Sequence, residues 1–367
     1  MMTVFTSQRI CVFCSISVII FGTILLYIHV YYSQSIPSIL LKFPYRITDI
    51  ENSMLSQRPE CPRDTPNAVG HLDISKTVPT WSHLVEEYTS SSFQPKIVLS
   101  QTRYDTSTNL TRVVVVNSTS NAENKTQSLE KFVGMWRPVD CDPTERLAII
   151  VPYRNRDSHL RMFLEHMHSF LRKQRLMYTI FVINQDGTTH FNRALLLNIG
   201  FIESMRVAKF DCFIFHDVDL LPEDDRNTYR CSNQPRHLSV AVDKFSYHLP
   251  YQQIFGGAVA LTREQFVKVG GFSNLYYGWG GEDDDLYARV INAKYIIVRY
   301  PEEIARYKMI SHNRDPNNPV NPQRQKLLDS ASSRFKTDGY WNANYTLLEA
   351  YPAYNGLFYW VSVSVIN

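Results

Sequence analysis

Leu-Ala-Ile-Ile-Val-Pro-Tyr-Arg-Asn-Arg, residues 147–156, is the stretch from which the fold of this chain can be read. Leu147 to Tyr153 is a compact apolar run, the pattern of a strand buried on both faces. Leu160, Phe163, Leu164, Met167, Phe170 and Leu171 then recur at helical spacing, with charged residues between them. A second strand is expected over Tyr178 to Asn184, a helix over about Asn192 to Met205, and a third strand over Cys212 to Phe215, running into His-Asp-Val-Asp (216–219). Strand–helix–strand–helix–strand implies an α/β fold, a parallel sheet with helices on its faces. Ligands in such sheets bind beyond the carboxyl ends of the strands, where both Pro152–Arg156 and Asp217–Asp219 fall.

Toward the amino terminus the chain changes character. Residues 33–133 lack sustained periodicity and are rich in Ser, Thr, Pro and Asn, which reads as a stem and a loosely structured lead-in, with Val113 to Val116 a short strand within it. Before it, Ile10 to Tyr32 carries no Asp, Glu, Lys or Arg and is long enough to cross the roughly 30 Å hydrocarbon layer as one transmembrane helix. The run exceeds a signal-peptide apolar core, and no small-residue cleavage site follows it. Flanking charge leaves the orientation open, because Arg9 precedes the span while Lys42 and Arg46 follow it. The glycosylation acceptors Asn109, Asn117, Asn124 and Asn344 all lie after the span. Four cysteines outside it, Cys61, Cys141, Cys212 and Cys231, suit two disulfides in an oxidising lumen. The expected layout is a cytoplasmic tail (1–9), a signal anchor (10–32), the luminal lead-in (33–133) and a catalytic body (134–367).

Composition narrows the classes further. Hydrophobic residues at 44% and charged residues at 20% describe a globular chain, and a formal charge of +3 over 367 residues gives no reason to expect a nucleic-acid partner. The aromatic share suits a sugar-binding surface and an aromatic core equally.

Three stretches carry chemistry. In Asp217-Val-Asp219, strand alternation would point both carboxylates to one side, where oxygen ligands select a hard cation such as Mg²⁺ or Mn²⁺. Pro152-Tyr-Arg-Asn-Arg156 offers arginines for forked phosphate contacts and Tyr153 for stacking on a base, against the plainer reading of a solvated cap. Tyr277-Gly-Trp-Gly-Gly-Glu-Asp-Asp-Asp285 joins a glycine-rich aromatic loop to four acids. Trp279 offers a flat face to a sugar ring. Glu282 and Asp283 suit hydroxyl binding and general-base work, while Asp284 and Asp285 equally suit a helix start. Near Met309-Ile-Ser-His312, chemistry alone nominates His312 and leaves Met309, a soft thioether, as core.

Together these segments resemble the β-1,4-galactosyltransferase family from about Cys141 to Ala350. The carriers are Pro-Tyr-Arg-Asn-Arg (152–156), Phe-Asn-Arg (191–193), Asp-Val-Asp (217–219), Tyr-Arg-Cys (229–231), Gln-Pro-Arg-His (234–237), Asp-Lys-Phe (243–245), Phe-Gly-Gly (255–257), Trp-Gly-Gly-Glu-Asp-Asp-Asp (279–285) and Asn-Pro-Gln-Arg (321–324). The resemblance implies a GT-A (Rossmann-like) fold with a mixed, mostly parallel sheet, and Mn²⁺ held by Asp219, Met309 and His312, against the core reading of Met309. It implies donor contacts from Pro152, Tyr153, Arg154, Asn155, Arg156, Phe191, Asn192, Arg193, Asp217, Val218, Asp219, Lys244, Ile254, Trp279, His312, Asn313, Arg314 and Asp315. Acceptor contacts fall to Gly281, Glu282, Asp283, Asp284, Arg324, Gln325 and Leu328, with Asp283 as base. Cys61–Cys141 and Cys212–Cys231 match its disulfides, and Trp279 with residues 310–330 matches loops that close after the donor binds. The expected reaction is an inverting displacement in the Golgi, from a UDP-sugar to O4 of a terminal GlcNAc on a glycoprotein or glycolipid.

Two departures bear on specificity. Before Phe-Gly-Gly, vertebrate members carry Tyr, crowding the donor sugar's 2-position, and invertebrate relatives that transfer N-acetylgalactosamine carry Ile. Here Ile254 leaves room for an N-acetyl group, whose methyl contact is worth on the order of 0.8 kcal/mol. UDP-GalNAc is therefore the expected donor and UDP-Gal the alternative. Gln325 and Leu328 replace an aromatic residue and an isoleucine in the family's acceptor N-acetyl pocket. Two other classes remain in view: a sugar-binding membrane protein without catalysis, which altered Asp219, His312 or Asp283 would favour, and a metal phosphohydrolase, which would want further carboxylates.

Overall fold

The computed structural model describes residues 58–89, 135–312, 315 and 318–365, together with the backbone of two short strands, Arg103–Asp105 (β1) and Leu110–Arg112 (β2), which pair antiparallel. The described residues fall in one compact unit, Gln57–Asn367. The expected anchor at Ile10–Tyr32, the strand at Val113–Val116 and the sequons Asn109, Asn117 and Asn124 lie outside the described residues. Among the described residues no helix is long and apolar enough to cross a membrane. Asn344 is described and exposed.

The alternation read from the sequence appears as β3 (Arg146–Tyr153), α2 (Asp157–Lys173), β4 (Met177–Asp186), α3 (Arg193–Val207) and β5 (Cys212–His216), a helix α1 (Trp81–Thr89) having come before them. Then follow β6 (Leu220–Pro222), β7 (Arg236–His237), β8 (Ala241–Val242), β9 (Ala258–Thr262), α4 (Arg263–Val269), α5 (Glu282–Asn292), β10 (Val298–Arg299), β11 (Arg306–Met309), α6 (Arg324–Asp329), α7 (Ala331–Arg334), β12 (Tyr345–Ala353) and β13 (Phe358–Val365). The large sheet runs β10-β7-β9-β5-β3-β4-β13-β12. Its centre, β5-β3-β4-β13, is parallel, while β9 and β12 join antiparallel. A second sheet, β6-β11-β8, stands beside it.

Strand alternation sorts the core into two layers. Leu147, Ile149 and Val151 of β3 meet Leu160, Phe163, Leu164 and Met167 of α2 on one face. Ala148 and Ile150 meet Leu196, Leu197 and Ile199 of α3 on the other. Each of these buried side chains larger than alanine contributes about 1.5–3 kcal/mol. Gly200 lets α3 come this close, since a Cβ there would stand 2.3 Å from Ile150 Cγ2.

The lead-in differs from expectation, because Arg58–Thr89 belongs to the body rather than to a loose stem. Cys61 is bonded to Cys141, and the Arg230 guanidinium donates to the carbonyls of Pro62 and Arg63. The Asp225 carboxylate accepts from the amides of Val69 and Gly70, and Trp81 stacks on Tyr354 at 4.1 Å. These anchors are single residues far apart in sequence, so no periodicity announces them.

Candidate active site

β5 ends against a turn, and that turn separates the two acids of Asp-Val-Asp. The Asp217 amide donates to the Gly257 carbonyl, and Leu220 turns back toward the Asp217 carbonyl. The carboxylates consequently part company, correcting the expectation that both face one cation. Asp217 takes the Arg193 Nε at 2.6 Å, whereas Asp219 Oδ2 meets His312 Nε2 at 3.1 Å. Strand alternation fails here because the strand stops at His216.

His312 reaches Asp219 because β11 lies antiparallel to β6, setting Met309 opposite Leu220. The Ile310 amide donates to the Asp219 carbonyl at 2.7 Å, and the Met309 amide to Asp243 Oδ1 at 2.9 Å. Met309 is half-buried and packs against the first apolar layer. Among the described residues no three His, Cys, Asp or Glu side chains gather for a metal. A cation held by Asp219 and His312 would need a third ligand of another type, and the ladder pairs Met309 with Leu220, the residue after Asp219. The side chains of His312 and Asp219 retain 27% and 13% exposure, so solvent reaches the pair.

Arg193, the first residue of α3, organises the other half of the site. Its Nη1 lies 2.7 Å from Asp283 Oδ1 and 3.8 Å from Glu282 Oε1. Burial opposes its charge, yet Asp217, Asp283 and Glu282 together hold its pKa above the ordinary value. Burial pushes the Asp283 carboxyl up to about 8, with Arg193 pulling it down and Glu282 and Asp217 adding to the rise. Asp217 is pushed up to about 6, again chiefly by burial. Glu282 is buried, and among the described residues its Oε2 has no hydrogen-bond partner.

The four acids open α5, with Gly281 as its left-handed N-cap residue at φ 97°. Asp285 is structural: buried, it takes Arg289 at 2.6 Å, Arg334 at 2.9 Å and the Tyr276 hydroxyl at 3.0 Å. Asp284 stays half-exposed and accepts from the Tyr251 hydroxyl at 2.9 Å. The glycine loop before the helix is strapped down, because the Trp279 amide and carbonyl bond to Pro319 and Asn321. Trp279 itself is 54% exposed, with the Arg324 guanidinium 5.6 Å above its ring. Leu328 is half-buried on α6, while exposed Gln325 turns its amide to Asp329 on that same helix.

At the end of β3, Pro152 is buried and half-buried Tyr153 sets its ring against Trp360. Arg154 donates to the Thr189 carbonyl, lies over Phe191 at 5.0 Å and stands 3.7 Å from Asp315. Asn155 is exposed in a left-handed turn, with Arg156 half-buried after it. Asn192 corrects its expected donor contact. It is fully buried, its Oδ1 capping the Leu195 amide and its Nδ2 donating to the Asn274 carbonyl. Val218 is nearly buried within the turn, and Lys244 is exposed with its ammonium over Phe245. Asn313 and Arg314 lie outside the described residues.

Ile254 is half-buried and belongs to neither apolar layer, which argues against its being core. Gly256, two residues on, is what lets Asp283 sit where it does: a Cβ there would fall 2.0 Å from Asp283 Oδ2. Sequence reasoning gave no role to Gly256, Asp243 or Tyr251, although Phe-Gly-Gly and Asp-Lys-Phe stood among the motifs that carry the resemblance.

Residues 99–232 match the N-terminal region of glycosyl transferase group 7, and residues 236–313 match the N-terminal domain of galactosyltransferase. The chain is 51% identical over 215 residues to Rattus norvegicus β-1,4-galactosyltransferase 4, covering 59% of this chain and 62% of that protein. Against Cricetulus griseus β-1,4-galactosyltransferase 4 it is 48% identical over 234 residues, 63% of this chain and 68% of that one. It thus spans less than two thirds of the rat relative's length, 62%. The catalytic domain of Drosophila β-1,4-galactosyltransferase 7, solved with xylobiose, superposes with a TM-score of 0.54 at 29% identity, covering 61% of this chain and 95% of that chain. A mutant of that enzyme was solved with manganese, UDP-Gal and xylobiose, with the same TM-score of 0.54. Sequence and fold therefore agree, and this chain belongs to the β-1,4-galactosyltransferase family of group 7 glycosyltransferases.

Proposed function

We infer that this protein is an inverting, Mn²⁺-dependent glycosyltransferase that moves N-acetylgalactosamine from UDP-GalNAc to O4 of a terminal GlcNAc. The observation that carries the reading is the 3.1 Å approach of His312 to Asp219, two residues 93 positions apart in sequence. Asp219, Met309 and His312 would hold the metal, and Mn²⁺ bound there would supply positive charge against the departing diphosphate. Arg156, half-buried just past the carboxyl end of β3, suits the phosphates, while buried Arg154 is held by the Thr189 carbonyl and Asp315. Asp283 takes the proton from the acceptor O4, its raised pKa making it a base suited to near-neutral pH. Glu282 Oε2, buried and without a partner among the described residues, offers an acceptor for a neighbouring sugar hydroxyl. Exposed Trp279 and Arg324 give the acceptor ring a face to lie on. The disulfides and exposed Asn344 favour an oxidising lumen, consistent with a single-pass anchor at Ile10–Tyr32 in the Golgi membrane.

Donor choice rests on Ile254, half-buried and outside the core, beside the Gly256–Asp283 contact. A second reading, UDP-Gal as donor, is favoured by the relatives named β-1,4-galactosyltransferase. Incubating the purified chain with GlcNAc, Mn²⁺ and each UDP-sugar separates the classes. Disaccharide supports transfer, free sugar supports hydrolysis, and no product supports a binding protein; chelation by EDTA should abolish the disaccharide. One pocket side chain is worth ~1–3 kcal/mol of discrimination, so Ile254→Tyr should shift the GalNAc-to-Gal rate ratio toward Gal by about tenfold or more. An unchanged ratio removes Ile254 from the account.

A further inference from the structure

β10 adds only two residues to the large sheet, and its parallel register with β7 sets Arg299 beside His237. Arg299 Nε donates to His237 Nδ1 at 3.1 Å, and its Nη2 donates to the carbonyls of Gln252 at 3.0 Å and Ile254 at 2.9 Å. A guanidinium can only donate, so His237 Nδ1 must accept and the ring proton must sit on Nε2. That nitrogen donates to the Gly256 carbonyl at 3.1 Å. Ser239 Oγ donates to the same carbonyl at 3.0 Å and accepts from the Ala258 amide at 2.8 Å. The carbonyls of residues 252, 254 and 256 are thus all taken up by one guanidinium–imidazole pair and its neighbouring hydroxyl.

The chemistry of the pair suits holding backbone rather than charge. His237 is buried, and burial with Arg299 alongside lowers its pKa to about 3, leaving a neutral ring throughout the working range. Arg299 is half-buried, its pKa is lowered by burial, and among the described residues its hydrogen-bond partners are carbonyls and an imidazole, with no carboxylate. The segment it grips carries Ile254 and, two residues later, the glycine against the base Asp283.

We propose that Arg299 and His237 are positioning residues that fix the placement of Ile254 against the 2-substituent of the donor sugar, so that donor choice is set by this backbone clamp as well as by the side chain at 254. The proposal rests on the reading of Ile254 given above. A rigid loop discriminates two sugars that differ by one acetamide, whereas a loop free to shift by a few tenths of an ångström accommodates both.

The test uses the full chain with Arg299→Gln, Arg299→Lys, His237→Gln and Ile254→Tyr. For each variant, kcat and KM are measured with UDP-GalNAc and with UDP-Gal at saturating GlcNAc, together with the KM for GlcNAc and the Tm. Arg299→Gln should move the ratio of the two donor kcat/KM values by about five- to tenfold toward indifference, with the GlcNAc KM within about twofold of wild type. Arg299→Lys, which keeps the charge and loses the fork, should move it as far. His237→Gln, which keeps a donor toward Gly256, should move it less and guards against an Arg299 variant that fails to fold. If the three clamp variants lower both donors equally while Ile254→Tyr shifts the ratio, the clamp proposal is overturned and the role of Ile254 stands. If Ile254→Tyr leaves the ratio fixed as well, the loop does not read the donor and both fall.

Discussion

Gly256→Ala is the sharpest test of how Asp283, the proposed base, is placed. Gly256 is outside the left-handed region, so alanine is allowed there by its backbone and the cost is steric alone. An ideal Cβ would stand 2.0 Å from Asp283 Oδ2, 2.3 Å from its Cγ and 2.8 Å from Oδ1, all closer than real Cβ contacts run. The carboxylate must retreat by about an ångström, and misplacing a reacting group by that much costs about 10²-fold in rate. It would also strain the 2.7 Å bond from Arg193, on which the orientation of the carboxylate depends. Steady-state kinetics of Gly256→Ala with saturating UDP-sugar and GlcNAc should therefore give a kcat about 100-fold below wild type, close to 2.7 kcal/mol at 1.36 kcal/mol per decade, with donor KM changed little. Asp283→Asn, as reference, should lose about 10²–10⁴-fold. If Gly256→Ala keeps kcat within about threefold of wild type while Asp283→Asn is dead, Asp283 works from a position other than the one beside Gly256, and the geometric argument fails.

Three other outcomes follow from the same site. As the proposed base Asp283 would work deprotonated, and its carboxyl is raised from 3.8 to about 8, so kcat/KM should climb with pH and level off above about 8. Arg193→Met removes the guanidinium that pulls that value down, so its profile should move further toward alkaline pH; a shift toward acid would contradict the assignment. Asn192→Ala deletes the N-cap of α3 and leaves the Asn274 carbonyl without its donor. Thermal or urea unfolding should register a loss of about 0.5–2 kcal/mol for the cap alone, and more if the carbonyl stays dry.

What could be read in advance was local. Apolar runs such as Leu147–Tyr153 and the spacing of Leu160, Phe163, Leu164 and Met167 identified strands and helices whose ends agree with the structure within a few residues. The resemblance of the ordered motifs also supplied the cysteine pairs that the structure joins. Less legible was Arg58–Thr89, whose attachment consists of isolated carbonyls and amides meeting Arg230 and Asp225. In the site, alternation misjudged Asp217 because the strand ends one residue before it, and the composition of Phe-Asn-Arg could not tell that Asn192 faces inward as a cap.

The sequence by itself determined the α/β class, the family and the identity of the acids and arginines at the carboxyl ends of the strands, because period and motif are properties of neighbouring residues. Only the tertiary structure decided which of those groups meet. His312 reaches Asp219 through the β6–β11 ladder, Arg193 draws Asp217 and Asp283 together, and Arg299 reaches the Ile254 loop through a two-residue strand. Each pairing spans tens of residues, and such contacts are set by sheet register and by the burial that shifts a pKa, neither of which exists until the chain is folded.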